Sequence, residues 1–281
     1  MPSLPDMMTP SLDEMTRNVL PGGAHAPAPD ANQAALFETL LRYGDNALIL
    51  GHRVSEWCGH GPALEEDIAL ANQALDLIGQ CQLWLGLAAE VEGGGRTADQ
   101  LAYLRDVSAF RNTLLVERPN GDFGQTLMRQ FLFDAYHSEL MLALKASTDP
   151  RVAEIAAKTG KEVAYHLERS ADLVIRLGDG SEESNARMQK ALNGLFSYTG
   201  ELFMDDDADK VVAEAGIAPL PSSLKPAWET TICEVLAEAT LDYPADVYMH
   251  KGGRKGLHSE YLGFILAEMQ FLQRAYPGAN W

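Results

Sequence analysis

The segment "LFETLLRYGDNALILGHRVSEW" (residues 36–57) decides the fold class of this chain. Its apolar positions recur at intervals of three and four residues: Leu36, Leu40, Tyr43, Ala47, Leu50 and Val54. Because an α-helix has about 3.6 residues per turn, this spacing places these side chains on one face and predicts a helix with a buried side. "CGHGP" (58–62) follows directly and predicts a turn.

The next segment, "ALEEDIALANQALDLIGQCQLWLGLAAEV" (63–91), predicts a second long helix. Its first turn holds the carboxylates of Glu65, Glu66 and Asp67, which complement the positive end of the helix dipole. Apolar residues lie on nearly every side of it, a pattern typical of a helix that is buried among several others. The glycine-rich "EGGGRT" (92–97) ends this helix.

The rest of the chain repeats the helical pattern and lacks the alternation typical of β-strands. Further helices are predicted over 98–117, 123–147, 150–177, 183–203, 222–240 and 258–275. The fold class is therefore all-α, with one domain over residues 33–281 built as a bundle of long helices with added short ones. Residues 1–32 are rich in Pro, Ala and Gly without periodicity, and we predict a flexible N-terminal arm.

Composition excludes several classes of function. A net charge of −18 over 281 residues argues against a nucleic-acid partner and against anionic lipid. No run of about 18 apolar residues is present, and the first residues lack the apolar core of a signal peptide. The three cysteines have no disulfide or zinc spacing, which predicts reduced, mostly buried thiols in a cytoplasmic protein.

Two polar motifs in predicted helices suggest a metal site. "FDAYHSEL" (133–140) places Asp134 three residues before His137, and "KEVAYHLERS" (161–170) brings His166 on the next helix. A carboxylate and a histidine at i and i+3 are the ligand pattern of ferritin-like di-iron centres. Such a centre takes two of these pairs and one further carboxylate from each of two other helices.

The histidines do not complete that ligand set. Of the seven in the chain, only His137 has a carboxylate three residues before it. Asp134 and His137 continue an apolar stripe, as does His166, and Asp76 lies on the long second helix. We therefore expect a metal-free polar cluster whose members satisfy one another, and a single weakly held metal ion is the alternative.

The most basic stretch of the chain is "HKGGRKGLH" (250–258), which contains Lys251, Arg254 and Lys255. Glycine-rich backbone and cations before a helix suggest that it binds phosphate groups, which the family resemblance given below would make those of coenzyme A. The alternative is a loop whose cations contact an acidic neighbour or another subunit, because the spacing of a phosphate-binding P-loop is missing.

Several long strings resemble one family. These are residues 41–80, "VERPNGDF" (116–123), "DAYH" (134–137), "KEVAYHLERS" (161–170) and the C-terminal "GGRKGLHSEYLGFILAEMQFLQRAYPGANW" (252–281). They are similar to the C subunits of multicomponent phenylacetyl-CoA ring 1,2-epoxidases, over residues 35–281. The predicted arm is outside this resemblance.

The resemblance implies a ferritin-like structural subunit that is not catalytic by itself. It would pair with a catalytic subunit that carries the di-iron centre, in a complex for aerobic phenylacetate catabolism. A reductase with FAD and an iron–sulfur cluster would deliver electrons from NADPH, and a small subunit would bridge the core pairs. No catalytic residue and no cofactor are then expected in this chain. The alternative is an autonomous ferritin-like metal-binding oxidase or ferroxidase.

Compared with the di-iron pattern, the resemblance implies lost ligands. The first-helix carboxylate position falls near Asn46, and the second-helix motif becomes Asp76-Leu-Ile-Gly79. The third position keeps a carboxylate at Asp134. The fourth-helix motif becomes Val163-Ala-Tyr-His166. Asp76, Asp134 and His166, with neighbouring His137, are therefore vestigial positions, at which no metal is expected.

Overall fold

The computed structural model describes residues 30–279, and the predicted arm up to residue 29 lies outside this range. Within it the chain forms ten α-helices and no strand: α1 Ala31–Ser55, α2 Leu64–Glu92, α3 Ala98–Tyr103, α4 Phe123–Leu144, α5 Pro150–Gly178, α6 Glu182–Leu195, α7 Asp207–Glu214, α8 Pro221–Glu238, α9 Glu260–Met269 and α10 Phe271–Ala275. The predicted all-α architecture is confirmed.

Helices α1 and α2 form an antiparallel hairpin. The Gln33 side chain near the start of α1 donates to the carbonyl of Val91 near the end of α2. A Cβ atom at Gly44 would lie 2.5 Å from Leu85 Cδ2, so glycine at this position lets the two helices approach closely. Nearly every side of α1 is buried, which places this helix at the centre of the domain.

Helices α4 and α5 form the second hairpin, and shorter helices cover it. Helices α6 and α8 pack against α4, whereas α7 and α9 pack against α1. Trp228 of α8 is buried and its indole N–H donates to the carbonyl of Leu132 at 3.0 Å. The core of the domain is therefore continuous between the two hairpins.

Local chemistry sets where the long helices begin. Asp30, Asp122 and Asp149 each precede a long helix and accept a hydrogen bond from a backbone N–H of its first turn. Such caps satisfy donors that the helix itself leaves free. At the other end of α2, Gly93 takes the left-handed conformation with φ of 67°, which ends that helix.

The predicted helix over 98–117 is wrong beyond Tyr103. Residues 104–122 are irregular apart from one short 3-10 helix at Val107–Ala109. Buried acceptors on α1 take their backbone donors: Asp45 Oδ2 accepts from the N–H of Arg111 and Asn46 Oδ1 from that of Thr113, both at 2.8 Å. Tertiary hydrogen bonds thus replace the helical ones.

The predicted helix over 183–203 also stops early. It ends at Leu195 and continues as two 3-10 helices, Phe196–Tyr198 and Gly200–Phe203. The cysteines differ from expectation as well, because Cys58 and Cys233 are exposed and only Cys81 is buried. Between residues 30 and 279, no helix is long and apolar enough to cross a membrane.

The apolar composition of α2 predicted a helix that is buried on nearly every side. The structure instead leaves one side of α2 exposed. Its N-terminal two thirds leave large apolar side chains in solvent: Leu64, Ile68, Leu75 and Ile78. The opposite side of α2 packs on α1 through buried residues such as Leu77 and Leu85. One face of this helix is therefore apolar without a covering neighbour in the described part of the chain.

Candidate functional site

Helices α2, α4 and α5 bring the predicted site residues together. Gln73 and Asp76 lie on α2, Asp134 and His137 on α4, and His166 on α5. Asp134 is fully buried, and Gln73, His137 and His166 are nearly so. We call these five residues the polar cluster.

Two hydrogen bonds join members of the polar cluster. His166 Nε2 lies 3.0 Å from Asp76 Oδ2, and Gln73 Nε2 donates to Asp134 Oδ2 at 3.4 Å. The Asp76 side chain is 36% exposed, so the pair with His166 extends from the interior to the surface. Sequence reasoning identified these four charged or titratable residues and missed Gln73, whose amide stands on the same buried helix.

The polar cluster is only partly satisfied. Among residues 30–279, no partner lies within hydrogen-bond distance of Asp134 Oδ1, His137 Nδ1 or His166 Nδ1. Buried polar atoms are usually paired, so the expectation that these side chains satisfy one another holds for some of their atoms only. Nor does this part of the chain hold any group of three or more His, Cys, Asp or Glu arranged to bind a metal ion.

Burial disfavours the charged forms of Asp134 and His137 in the polar cluster. Burial raises the pKa of Asp134 to about 6, although nearby His166, Ser170 and Gln73 act in the opposite direction. Burial also lowers the pKa of His137 to about 3, and His166 adds to this effect.

The other positions matched to the di-iron pattern hold neither a carboxylate nor an imidazole. The Asn46 amide oxygen accepts from the backbone and the hydroxyl of Thr113, so it serves the irregular segment. Gly79 is exposed, and a Cβ there would meet no described atom within 4 Å. Val163 is fully buried among apolar side chains. Among residues 30–279, these positions therefore supply fewer carboxylate and imidazole ligands than a pair of irons takes.

A second buried polar region, which sequence reasoning missed, lies around α1 and α7. We call it the anchor network, and it comprises Arg42, Asp45, Arg105, Glu117, Glu201, Asp206, Asp209, Arg254, Lys255 and His258. Arg254 contacts both carboxylate oxygens of Asp209 at 2.7 Å, and Arg42 contacts Asp209 and Asp206. The feature of the sequence that could have revealed this network is the presence of Arg42 and Asp45 within the apolar pattern of residues 36–57.

Glu201 shows what the anchor network does. Its carboxylate accepts backbone hydrogen bonds from Leu114 at 3.0 Å, from Gly252 at 2.8 Å and from Arg254 at 3.0 Å. These donors belong to two separate irregular segments, 104–122 and 239–259. One buried carboxylate thus ties both segments to the helical core.

The pair formed by His258 and Glu117 closes the same region. Both side chains are fully buried, with His258 Nδ1 at 3.0 Å from Glu117 Oε2. His258 Nε2 lies 3.1 Å from the carbonyl of Phe110, and Glu117 Oε1 accepts from the N–H of Ser259 at 2.7 Å. The pair therefore joins the start of α9 to the irregular segment 104–122.

The cations of the candidate phosphate-binding loop mostly pair with carboxylates and a carbonyl of this same chain. Arg254 is buried and its guanidinium also donates to the carbonyl of Met204, while Lys255 pairs with Asp206. Lys251 is exposed. A coenzyme A phosphate at this loop would have to displace carboxylates from Arg254 and Lys255, so the contacts favour the structural interpretation of the loop.

Comparison with known proteins is consistent with the sequence motifs quoted above. The sequence pattern of the family described as phenylacetic acid catabolic protein matches residues 15–281. The chain belongs to the phenylacetic acid catabolic protein family. The match begins inside the predicted arm, at residue 15, in a part of the chain outside the described residues.

One relative in this family is a curated protein of Escherichia coli (strain K12), the C subunit of 1,2-phenylacetyl-CoA epoxidase. The chain is 49% identical to it over 241 residues, which covers 86% of this chain and 97% of the relative. The resemblance predicted from the motifs is thereby confirmed for nearly the full length of that relative.

Proposed function

We propose that this chain is the structural, non-catalytic subunit of a phenylacetyl-CoA ring 1,2-epoxidase of aerobic phenylacetate catabolism. It pairs with a di-iron catalytic subunit and supports it. The observation that carries the proposal is the donor set of the polar cluster, in which Asp134 stands alone at the buried carboxylate positions and Val163 and Gly79 replace ligands.

The chemistry of the reaction then belongs to other chains of the complex. The di-iron centre lies in the catalytic subunit, and FAD, an iron–sulfur cluster and NADPH serve the reductase. A small subunit bridges the core, and the complex works in the cytoplasm. The similarity to the C subunit of an epoxidase supports this assignment, because a protein named in that way belongs to an assembly of several chains.

The contribution of this chain is mechanical. The anchor network holds the irregular segments 104–122 and 239–259 against α1 through buried carboxylates such as Glu201 and Asp209. In this network the carboxylate oxygens of Asp45, Glu201 and Asp209 all accept hydrogen bonds. Such a network is stiff, because moving one member leaves an unpaired charge in a medium of low polarity. The outer surface therefore keeps its shape when a catalytic partner binds and releases substrate.

The test is reconstitution from purified chains. This chain and its di-iron catalytic partner are measured separately and mixed, by size-exclusion chromatography with light scattering and by turnover of phenylacetyl-CoA with the reductase. We expect a stable heteromer and no turnover by this chain alone. When ferrous iron is added to this chain in air, we expect no absorbance from an oxo-bridged iron pair. Stoichiometric iron binding together with oxidase activity would instead show that the chain is an autonomous oxidase or ferroxidase.

A further inference from the structure

The exposed side of α2 is apolar over much of its length. Leu64 is 72% exposed, Ile68 52%, Leu75 70% and Ile78 37%. Their spacings of four, seven and three residues place them on one side of the helix. Tyr165 of α5 is 55% exposed and precedes His166, which contacts Asp76 of α2. We call these five apolar residues the α2 outer face.

Free charge is missing from the middle of this surface. Between Ile68 and Gln82 the one charged residue of α2 is Asp76, and its carboxylate contacts His166. A helix face that meets water normally carries charged and polar residues, and 22% of the chain is charged. The composition of α2 instead matches a helix that is covered on all sides.

Two glycines lie along the same exposed side. Gly79 and Gly86 stand seven residues apart, about two turns, and a Cβ at either position would meet no described atom within 4 Å. Each glycine inside a helix lowers its stability by about 1 kcal/mol relative to alanine. Packing within this chain does not require either glycine, whereas close approach of another helix would.

A groove continues the face towards the end of α2. It has a volume of about 360 Å³ and lies between α2 and α5. Its lining combines apolar Leu83, Gly86, Leu87 and Ile155 with polar or charged Gln82, Glu90, Arg151, Glu154 and Lys158. The face and the groove together form an elongated surface suited to a helix.

The net charge of the chain indicates what kind of molecule covers the α2 outer face. Glu162 and Glu168 lie three residues on either side of Tyr165, and Lys161 and Arg169 lie four residues on either side of it, so the border of the face carries both signs of charge. Two copies of a chain with a net charge of −18 would repel each other at this face. A different polypeptide that is less acidic than this chain fits better.

We propose that the α2 outer face is the docking surface for an apolar helix of the catalytic subunit. This inference rests on the proposed function, because that function supplies the partner. Leu75 and Ile68 are the central contacts, and Gly79 and Gly86 let the two helix backbones approach. Binding buries the side of α2 that this chain leaves in water.

The experiment compares two double variants of the full-length chain. Ile68→Glu with Leu75→Glu places charge on the α2 outer face. The matched control, Leu257→Glu with Phe264→Glu, places charge on two exposed apolar residues outside α2, which are 72% and 65% exposed. Thermal unfolding followed by circular dichroism checks that both remain folded, and isothermal titration with the catalytic subunit measures affinity.

We expect the face variant to bind at least 100-fold more weakly and the control to change less than 3-fold. Gly79→Leu adds bulk without charge and should weaken binding at least 10-fold while the chain melts no lower than the wild type. If the wild type fails to bind, the proposed function is wrong. If it binds and the face variants bind equally well, this docking surface is wrong and the proposed function stands.

One further outcome is informative. A homodimer of the wild type that the Leu75 variant abolishes would overturn the choice of a different polypeptide as the occupant.

Discussion

The anchor network and the polar cluster are both polar regions buried in one helical domain, but they differ in how fully their groups are paired. Every carboxylate oxygen of Asp45, Glu201 and Asp209 has a donor. In the described chain, by contrast, Asp134 has one hydrogen bond of 3.4 Å and one oxygen without a partner.

The difference shows where this fold makes structural use of buried charge. In the anchor network, carboxylates hold guanidinium groups and the backbone of irregular segments that have no helical hydrogen bonds of their own. In the polar cluster, the surrounding helices are complete without Asp134 and His137, and burial favours the neutral form of each. The anchor network therefore stabilises the fold, whereas the fold forms without a stabilising contribution from the polar cluster.

The largest effect is expected from breaking the anchor network at its centre. Asp209→Ala leaves the buried guanidinium groups of Arg42 and Arg254 short of a partner, and should lower the free energy of unfolding by about 3–5 kcal/mol. Urea unfolding followed by circular dichroism measures it. The control is Asp207→Ala on the same helix, whose side chain is fully exposed and should change the free energy of unfolding far less. If both variants lost equally little free energy of unfolding, the anchor network would not stabilise the fold more than the polar cluster does.

A smaller effect of opposite sign is expected at the polar cluster. The pKa of Asp134 is raised to about 6 from 3.8. The folded state therefore binds the proton more tightly than the unfolded state, and the stability that this carboxyl contributes is present below pH 3.8 and lost as pH rises through 6. Asp134→Asn mimics the neutral form and should stabilise the chain at pH 7.5, by up to about 3 kcal/mol.

The pH dependence of the free energy of unfolding tests whether the ionised carboxylate of Asp134 is the cause of this difference in stability. The advantage of Asp134→Asn over the wild type should shrink as pH falls from 6 to 4, in urea titrations at each pH. Asp172→Asn, on an exposed part of α5, serves as the control and should stay within about 0.5 kcal/mol of the wild type throughout. A wild type that is more stable than the Asp134 variant at pH 7.5 would show that this carboxylate is satisfied after all.

The smallest effect concerns the edge of the polar cluster. Gly79→Ala adds a methyl group that meets no described atom within 4 Å, and should raise the free energy of unfolding by about 0.5–1 kcal/mol through helix propensity. Gly44→Ala is the matched control, because its methyl group would overlap Leu85 and should destabilise the chain. Thermal unfolding of the isolated chain separates the two signs, and destabilisation by both would mean that Gly79 has a packing role within the chain.

Local patterns predicted much of the fold and part of the candidate site. The spacing of Leu36, Leu40 and Leu50 predicted α1, and the stripe containing Asp134 and His137 predicted that both side chains are buried. The pairing of His166 with Asp76 followed the expectation of mutual satisfaction across helices. The irregular course of 104–117 was not predictable in this way, since its sequence was compatible with a helix and acceptors for its backbone hydrogen bonds lie on α1.

The anchor network escaped prediction because its partners are far apart in the chain. Arg42 and Asp209 are separated by 167 residues, and Asp45 and Arg105 by 60. Each looks like an ordinary charged residue in its own helix or loop. Their burial, and hence the strength of their pairing, exists only after the helices have packed.

By itself, the sequence determined that the chain is helical, where most long helices begin, that it is acidic, and that it offers one carboxylate–histidine pair where a di-iron centre needs two. Those properties depend on neighbours within a few turns or on simple counts. Only the tertiary structure decided which buried charges meet, which cluster atoms remain unpaired and which apolar face of α2 stays in water. These depend on distances between segments remote in sequence, and electrostatic and hydrophobic free energies are set by those distances and by exclusion of water.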